Sequence, residues 1–307
     1  MKNVIRIGTR DSELALWQAN TVQNKLEALG HNTTLIPVKA TGDLVLDKPL
    51  YELGITGIFT KTLDVALLKG DIDIAVHSMK DVPTVLPKGV VQAAVLERAE
   101  THDVLVHKGT DFLEREGILA TGSLRRKAQW LAKYPKHKVI DLRGNVNSRL
   151  IKLIENDWNG AIFAQAGLER IKLLPKDAVQ LDWMIPAPAQ GAMLVAGLKD
   201  NEQVIQAASE LNDDHSAITT QIEREFLKTL EGGCTAPIGA LAEIKNQKVY
   251  FKGCLHALDG SAFVETIKER PLTKIEGFGK SCAYEILESG GKQLMDEIKN
   301  ELNNSVH

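Results

Sequence analysis

Short apolar runs recur along the chain, separated by polar loops and by stretches whose apolar residues fall at helical spacing. Residues 4–7 read as a strand and 34–38 as a second one, with an amphipathic helix between them over 13–29. Leu14, Trp17, Val22, Leu26 and Leu29 mark the apolar face of that helix, Ser12 can cap its start and Gly30 can end it. The segment 43–58 carries Gly54 and Gly57 with little periodicity and reads as a long loop. A helix over 60–69 then leads to Ile72-Asp73-Ile74-Ala75-Val76, a nearly unbroken apolar run of the kind a strand shows when helices cover both faces. Further strands are predicted at 90–95 and 104–106.

The order strand, polar junction, helix then repeats. Residues 118–120 run into Thr121-Gly122-Ser123-Leu124-Arg125-Arg126 and a helix to 133. Residues 139–142 run into Arg143-Gly144-Asn145 and a helix carrying Val146, Leu150, Leu153 and Ile154, and 161–164 run into Ala166-Gly167-Leu168-Glu169-Arg170. Such alternation predicts doubly wound α/β packing. Ile185 to Gly191, with two prolines, reads as a linker returning the chain to the first domain, followed by a buried strand over 192–198 and helices at 201–211 and 215–230. After Cys234 the pattern changes to three strands at hairpin spacing (238–244, 249–256, 263–270), Asp259-Gly260 being a turn signal, and two closing helices. The expected architecture is α/β: domain 1 over 1–97 and 191–211, domain 2 over 102–186, and a small α+β domain 3 over 214–307 with a three-stranded antiparallel sheet.

A chain of 307 residues exceeds the size at which one core stops growing, which agrees with several domains. A net charge of -3 argues against a general nucleic-acid or anionic-membrane binder. No run approaches the roughly 18 apolar residues that span a bilayer, and no signal peptide is visible, so a cytoplasmic location is expected. The three cysteines (Cys234, Cys254, Cys282) show no metal-type pair spacing, so neither a disulfide framework nor a metal site is expected.

Arginine placement carries the chemistry. Seven of the eleven arginines (Arg6, Arg10, Arg125, Arg126, Arg143, Arg149, Arg170) fall near predicted strand ends or helix starts. Guanidiniums beside free helix N–H groups suit a ligand with several carboxylates or phosphates, although any single one can instead serve a surface ion pair. The sequence argues against a nucleotide loop: Gly279-Lys280-Ser281 resembles the end of one, but Lys274 stands where its first glycine belongs, and no GxGxxG follows a strand. The run His77-Ser78-Met79-Lys80-Asp81-Val82-Pro83 follows the apolar strand, where open α/β sheets bind ligands, and its alternative reading is a solvated turn. His77 suits a structural role bonded to backbone better than that of a catalytic base, and Asp81 is either an acceptor among arginines or the partner of Lys80 or an arginine. Cys234, within Gly232-Gly233-Cys234-Thr235-Ala236-Pro237, is either an approachable nucleophile or a small buried hydrophobe. Cys254 and Cys282 fall in strand and helix patterns and read as core.

The segments RIGTRDSELALWQA (6–19), DIAVHSMKDVP (73–83), GSLRRKAQ (122–129), LRGNVNSRL (142–150), AGLERI (166–171), PAPAQGA (186–192) and LEGGCTAPIGA (230–240) closely resemble those of the porphobilinogen deaminase (hydroxymethylbilane synthase) family, in its order and over nearly the whole chain. The resemblance implies two periplasmic-binding-protein-like domains plus a small third one. It also implies a transferase of tetrapyrrole (haem) biosynthesis that condenses four porphobilinogen molecules into hydroxymethylbilane with release of four ammonia. It further implies a dipyrromethane cofactor held by thioether on Cys234, and Asp81 as the catalytic carboxylate that holds pyrrole N–H groups and stabilises the cation left when ammonia departs. Arg10, Ser12, Lys80, Thr121, Ser123, Arg125, Arg126, Arg143, Arg149 and Arg170 match positions that bind acetate and propionate groups, and Gln18 and Gln190 match further polar positions. Porphobilinogen is the expected partner and a monomer the expected state. Three positions depart from the family pattern: Thr56 in Gly54-Ile55-Thr56-Gly57 where a lysine is usual, Gly122 where a serine is usual, and Ala40 where a threonine is usual. The rival reading is a non-catalytic anion-binding module on the same scaffold, which gives Cys234 no use.

Overall fold

The computed structural model describes residues 4–38, 60–230 and 236–304. The first part of the chain forms β1 (Ile5–Thr9), α1 (Glu13–Ala28), β2 (Thr33–Pro37), α2 (Lys61–Lys69), β3 (Ile74–Ser78) and β4 (Val90–Val95). There follow β5 (Asp103–His107), β6 (Ile118–Ala120), α3 (Leu124–Lys133), β7 (Lys138–Ile140), α4 (Val146–Glu155), β8 (Gly160–Ala164), α5 (Gln165–Arg170) and β9 (Val179–Gln180). The chain continues with β10 (Met193–Leu198), α6 (Glu202–Ser209), α7 (Asp214–Thr229), β11 (Ile238–Lys245), β12 (Lys248–His256), β13 (Phe263–Pro271), α8 (Phe278–Ile286) and α9 (Lys292–Asn304). It divides into two compact units, one of Met1–Val45, Ile55–Glu100 and Gln190–Ile218, the other of Leu46–Gly54, Thr101–Ala189 and Thr219–His307.

The first unit is a five-stranded mixed sheet in the order β2-β1-β3-β10-β4. β1 pairs in parallel with β2 and β3, whereas β10 runs antiparallel to both β3 and β4. Ile5, Ile7, Val22, Leu26, Ile74 and Val195 form the core on one face, and Leu63, Leu67, Ile72, Ala75 and Ala196 form it on the other. Covered on both sides, β3 has to be apolar, as its sequence is. The inward stripe of α1 is Gln18, Ala19, Val22 and Leu26; Trp17 and Leu29 of the predicted face are 37% and 47% exposed. The stripe turns because Gln18 is held inward by a hydrogen bond to Ser78, so a polar residue occupies a core-facing position. Ser12 is the N-cap of α1 by position, but its side chain makes no capping bond.

The second unit holds a five-stranded mixed sheet in the order β7-β6-β8-β5-β9, with β6 parallel to β7 and β8, and β5 antiparallel to β8. Val104, Leu142, Leu153, Phe163 and Leu168 fill one face and Phe112, Leu119, Trp130 and Ile162 the other. Ile154, grouped by its spacing with the apolar face of α4, is exposed. The same unit carries a three-stranded antiparallel meander β11-β12-β13. Phe226 of α7 and Phe278 of α8 pack edge-on against Phe251 of β12, with ring centroids 5.0 and 6.1 Å apart. The fully buried Glu223 of α7 accepts backbone N–H bonds from Ala189 (2.6 Å) and Ala242 (2.7 Å). The chain is therefore α/β, with two mixed sheets and a small antiparallel one.

Candidate active site

In the first unit the predicted residues gather where the parallel strands β1 and β3 end. Arg10 and Ser12 follow β1, and Ser78, Lys80 and Asp81 follow or close β3, the last two in a single 3-10 turn over Met79–Asp81. Met193 at the start of β10 stands opposite Ser78, so the antiparallel return brings Gln190 to the same edge. There Gln18 Nε2 donates to Ser78 Oγ (2.9 Å) and Lys80 Nζ donates to Gln190 Oε1 (3.2 Å). The Asp81 carboxylate is partly exposed and makes no ion pair or hydrogen bond to any described residue, so the pairing considered for it with Lys80 or an arginine is not found. His77 is buried, and burial, followed by the charge of Arg10, pushes it down to about 4. Among the described residues its ring makes none of the backbone hydrogen bonds expected of a structural histidine; it is a neutral wall beside Arg10.

Arg6 has a different role from the anion contact considered for it. Its Nε and Nη2 donate to the Asp73 carboxylate at 3.0 and 2.7 Å, and Asp73 also accepts from the Arg6 backbone N–H at 2.8 Å. These bonds outweigh burial and hold the Asp73 carboxyl below its usual range. Arg6 and Asp73 lie at the beginning of their strands, whereas Arg10 and Asp81 lie past the ends.

In the second unit the parallel strands β6, β7 and β8 all deliver polar residues from their carboxyl ends, as the parallel direction requires. After β6 come Thr121, Ser123, Arg125 and Arg126, and Ser123 caps α3 by accepting from the Arg126 backbone N–H. After β7 come Arg143 and, from the first turn of α4, Arg149, with Asn145 capping that helix through the Ser148 N–H at 2.9 Å. Arg170 ends α5, which follows β8. Gly122 has a local reason: a Cβ there would lie 2.6 Å from the Leu142 carbonyl oxygen.

Arg125 and Arg126 flank one carboxylate. Arg126 donates to Asp103 through Nε (3.0 Å) and Nη2 (2.7 Å), Arg125 Nη2 lies 2.8 Å from the other Asp103 oxygen, and Asp103 is fully buried. Arg125 Nη1 also donates to the Ile185 carbonyl (2.8 Å) and Arg126 Nη1 to that of Ile162 (2.9 Å). The three side chains together carry one net positive charge in a buried place. Burial pulls Arg170 down to about 10 against the opposing effect of Glu169. Both features suit a ligand that brings carboxylates.

Residues 5–206 match the family model described as "Porphobilinogen deaminase, dipyromethane cofactor binding domain", and residues 217–288 match "Porphobilinogen deaminase, C-terminal domain". The chain belongs to the porphobilinogen deaminase family. A porphobilinogen deaminase of Campylobacter fetus subsp. fetus is 40% identical over 296 residues, covering 95% of this chain and 97% of the relative. One from Geotalea uraniireducens is 38% identical over 300 residues, covering 96% and 94%. The solved methionine binding protein MetQ aligns at a TM-score of 0.45 with 15% identity, covering 71% of this chain and 93% of that one; the strand order above, not this likeness, establishes the fold.

Cys234, Ala40 and the Gly54–Gly57 segment lie outside the described residues. The other two cysteines are buried: burial pushes the Cys254 thiol up to about 12 and the Cys282 thiol up to about 11, so neither offers a thiolate near neutral pH. Two residues that bond to the predicted ones had not been singled out from the sequence. Asp103 opens the apolar run of β5, and a charged residue at the head of a buried strand was its one signal. Arg98, whose Nε donates to the Gln190 carbonyl oxygen (2.8 Å), had none.

Proposed function

We propose that the protein condenses four porphobilinogen molecules head to tail into hydroxymethylbilane, releasing four ammonia, primed on a dipyrromethane joined to Cys234. We further take it to act as a cytoplasmic monomer, with the chain organised in the three domains expected from its sequence. The observation that carries the reading is Asp81: a carboxylate just past the end of a buried strand, without a cation of its own among the described residues, in a chain of the porphobilinogen deaminase family.

Each step breaks the C–N bond of the substrate's aminomethyl group, and the electron pair leaves on ammonia. The resulting cation is delocalised into the pyrrole, whose N–H becomes a stronger donor. Asp81 accepts that N–H and faces the developing charge. A carboxylate about 4 Å from a unit cation at an effective dielectric near 20 contributes about 4 kcal/mol, or roughly a thousandfold in rate. His77, neutral beside Arg10, adds no charge to oppose the cation. Arg10, Ser12 and Lys80 in the first unit, and Thr121, Ser123, Arg125, Arg126, Arg143, Arg149 and Arg170 in the second, hold the acetate and propionate groups. The cofactor fits the second unit's donors, since the Arg125–Asp103–Arg126 group keeps a net positive charge and, like the buried Arg170, gains from added carboxylates. When bound, dipyrromethane would supply the free pyrrole α-carbon that is joined to the substrate's methylene with loss of that carbon's proton.

Denaturing mass spectrometry of the intact protein should show an added dipyrrole that is absent from Cys234→Ser. Asp81→Asn should keep the adduct and lose about 10²- to 10³-fold in turnover. An unmodified mass for active protein, or near wild-type turnover of Asp81→Asn, overturns the proposal.

A further inference from the structure

Gln190 is a polar side chain with no exposure at all, in a chain segment whose shape is costly. Ala189 before it has φ 61°, a left-handed conformation that an alanine adopts only under constraint. Gly191 after it has φ 85°, and a Cβ there would stand 2.5 Å from the Ala99 carbonyl oxygen and 2.7 Å from that of Glu100. The backbone between is pinned from outside: Arg98 Nε donates to the Gln190 carbonyl oxygen at 2.8 Å, the Arg98 N–H donates to Ser216 Oγ at 2.9 Å, and the Ala99 N–H donates to the Gly191 carbonyl at 3.2 Å. So many constraints on three residues fix the direction of the one long side chain among them.

That side chain ends on Lys80 Nζ at 3.2 Å. The amide orientation is not ambiguous, because an ammonium only donates and so must face the amide oxygen. A lysine side chain has four rotatable bonds and loses up to about 2 kcal/mol of rotamer entropy when held in one place. Gln190 supplies that restraint before any ligand arrives, and being uncharged it does not itself neutralise the ammonium.

We infer that Gln190 is a positioning residue: it aims the Lys80 ammonium at a carboxylate of the substrate or the growing chain, and it acts only through Lys80. This rests on the deaminase reading above. The role predicts a larger effect on substrate capture than on turnover, since a carboxylate remote from the breaking C–N bond is held alike in the ground and transition states.

The test is a double-mutant cycle on the full-length holoprotein, with porphobilinogen as substrate and thermal unfolding followed alongside. Gln190→Met keeps length and volume and removes the acceptor. It should raise KM about five- to tenfold with a much smaller change in kcat, and Gln190→Glu, which keeps an acceptor but pairs the ammonium with a charge, should leave KM raised as well. In a Lys80→Met background, Gln190→Met should add less than about twofold to KM. If it raises KM equally in both backgrounds, or if Gln190→Met leaves KM at the wild-type value, the residue does not act through Lys80 and the inference falls. Lack of wild-type turnover of porphobilinogen would instead strike at the deaminase reading, before the cycle is begun.

Discussion

Replacing Asp103 with asparagine removes one charge and almost no volume from a place where two guanidiniums are buried. Asp103 has no exposed surface, and Arg125 and Arg126 are 4% and 6% exposed. In the native protein one carboxylate oxygen takes two N–H groups of Arg126 and the other lies 2.8 Å from Arg125 Nη2. An asparagine amide can offer its oxygen to only one arginine, and its NH₂ then confronts the N–H groups of the other. The carbonyls of Ile185 and Ile162 still accept from the two arginines, but neutral acceptors do not offset two cations that also repel each other. Removing one member of a buried ion pair costs about 3–5 kcal/mol, and no solvent screening reduces the figure here. Trp130, Trp158 and Trp183 all belong to the same compact unit as Asp103, so tryptophan fluorescence during urea unfolding reads the relevant transition. Asp103→Asn should lower that unit's stability by about 3 kcal/mol or more, whereas Asp103→Leu combined with Arg125→Met and Arg126→Met should recover most of it, since apolar groups of similar size replace buried ion pairs at little cost. A loss below about 1 kcal/mol for the single change would show that the two backbone carbonyls hold the arginines and that Asp103 is not their anchor.

Two further expectations come from buried groups elsewhere. His77 and His256 are buried and pushed down to about 4, each mainly by burial and then by a nearby arginine, so the unfolded chain binds more protons than the folded one between about pH 6.5 and 4. Their contribution is fully present above pH 6.5 and is lost as pH falls through that window, about 3 kcal/mol for each; urea unfolding from pH 7 to 4 should show a shallower acid loss in His256→Gln than in the wild type, and identical slopes would refute the assignment. Gly191→Ala should cost at least about 2 kcal/mol, because the left-handed conformation and the 2.5 Å approach to the Ala99 carbonyl add. A thermal unfolding temperature equal to wild type would remove the constraint on which the role of Gln190 depends.

Most elements were legible in the sequence because each announces itself locally. The meander β11-β12-β13 has hairpin spacing, and β3 is apolar on both faces because both are covered. The arginines of the second unit were legible as a set for a physical reason: β6, β7 and β8 run the same way, so whatever follows each of them arrives at one edge of the sheet. Strand direction was not legible, since an apolar run reads the same from either end. β5 and β10 turned out antiparallel to their neighbours, and the pairings missed depend on those directions. The counter-ion of Arg125 and Arg126 opens β5, some twenty residues upstream, with no local spacing to connect them. Lys80 and Gln190 lie 110 residues apart and meet only because β10 returns with Met193 opposite Ser78. Had β10 run parallel to β3, Gln190 would have stood at the opposite edge with Arg6 and Asp73, out of reach of the lysine beside Asp81. The direction of one strand thus decides which polar residues of the first unit can act together, and an apolar pattern alone does not specify it.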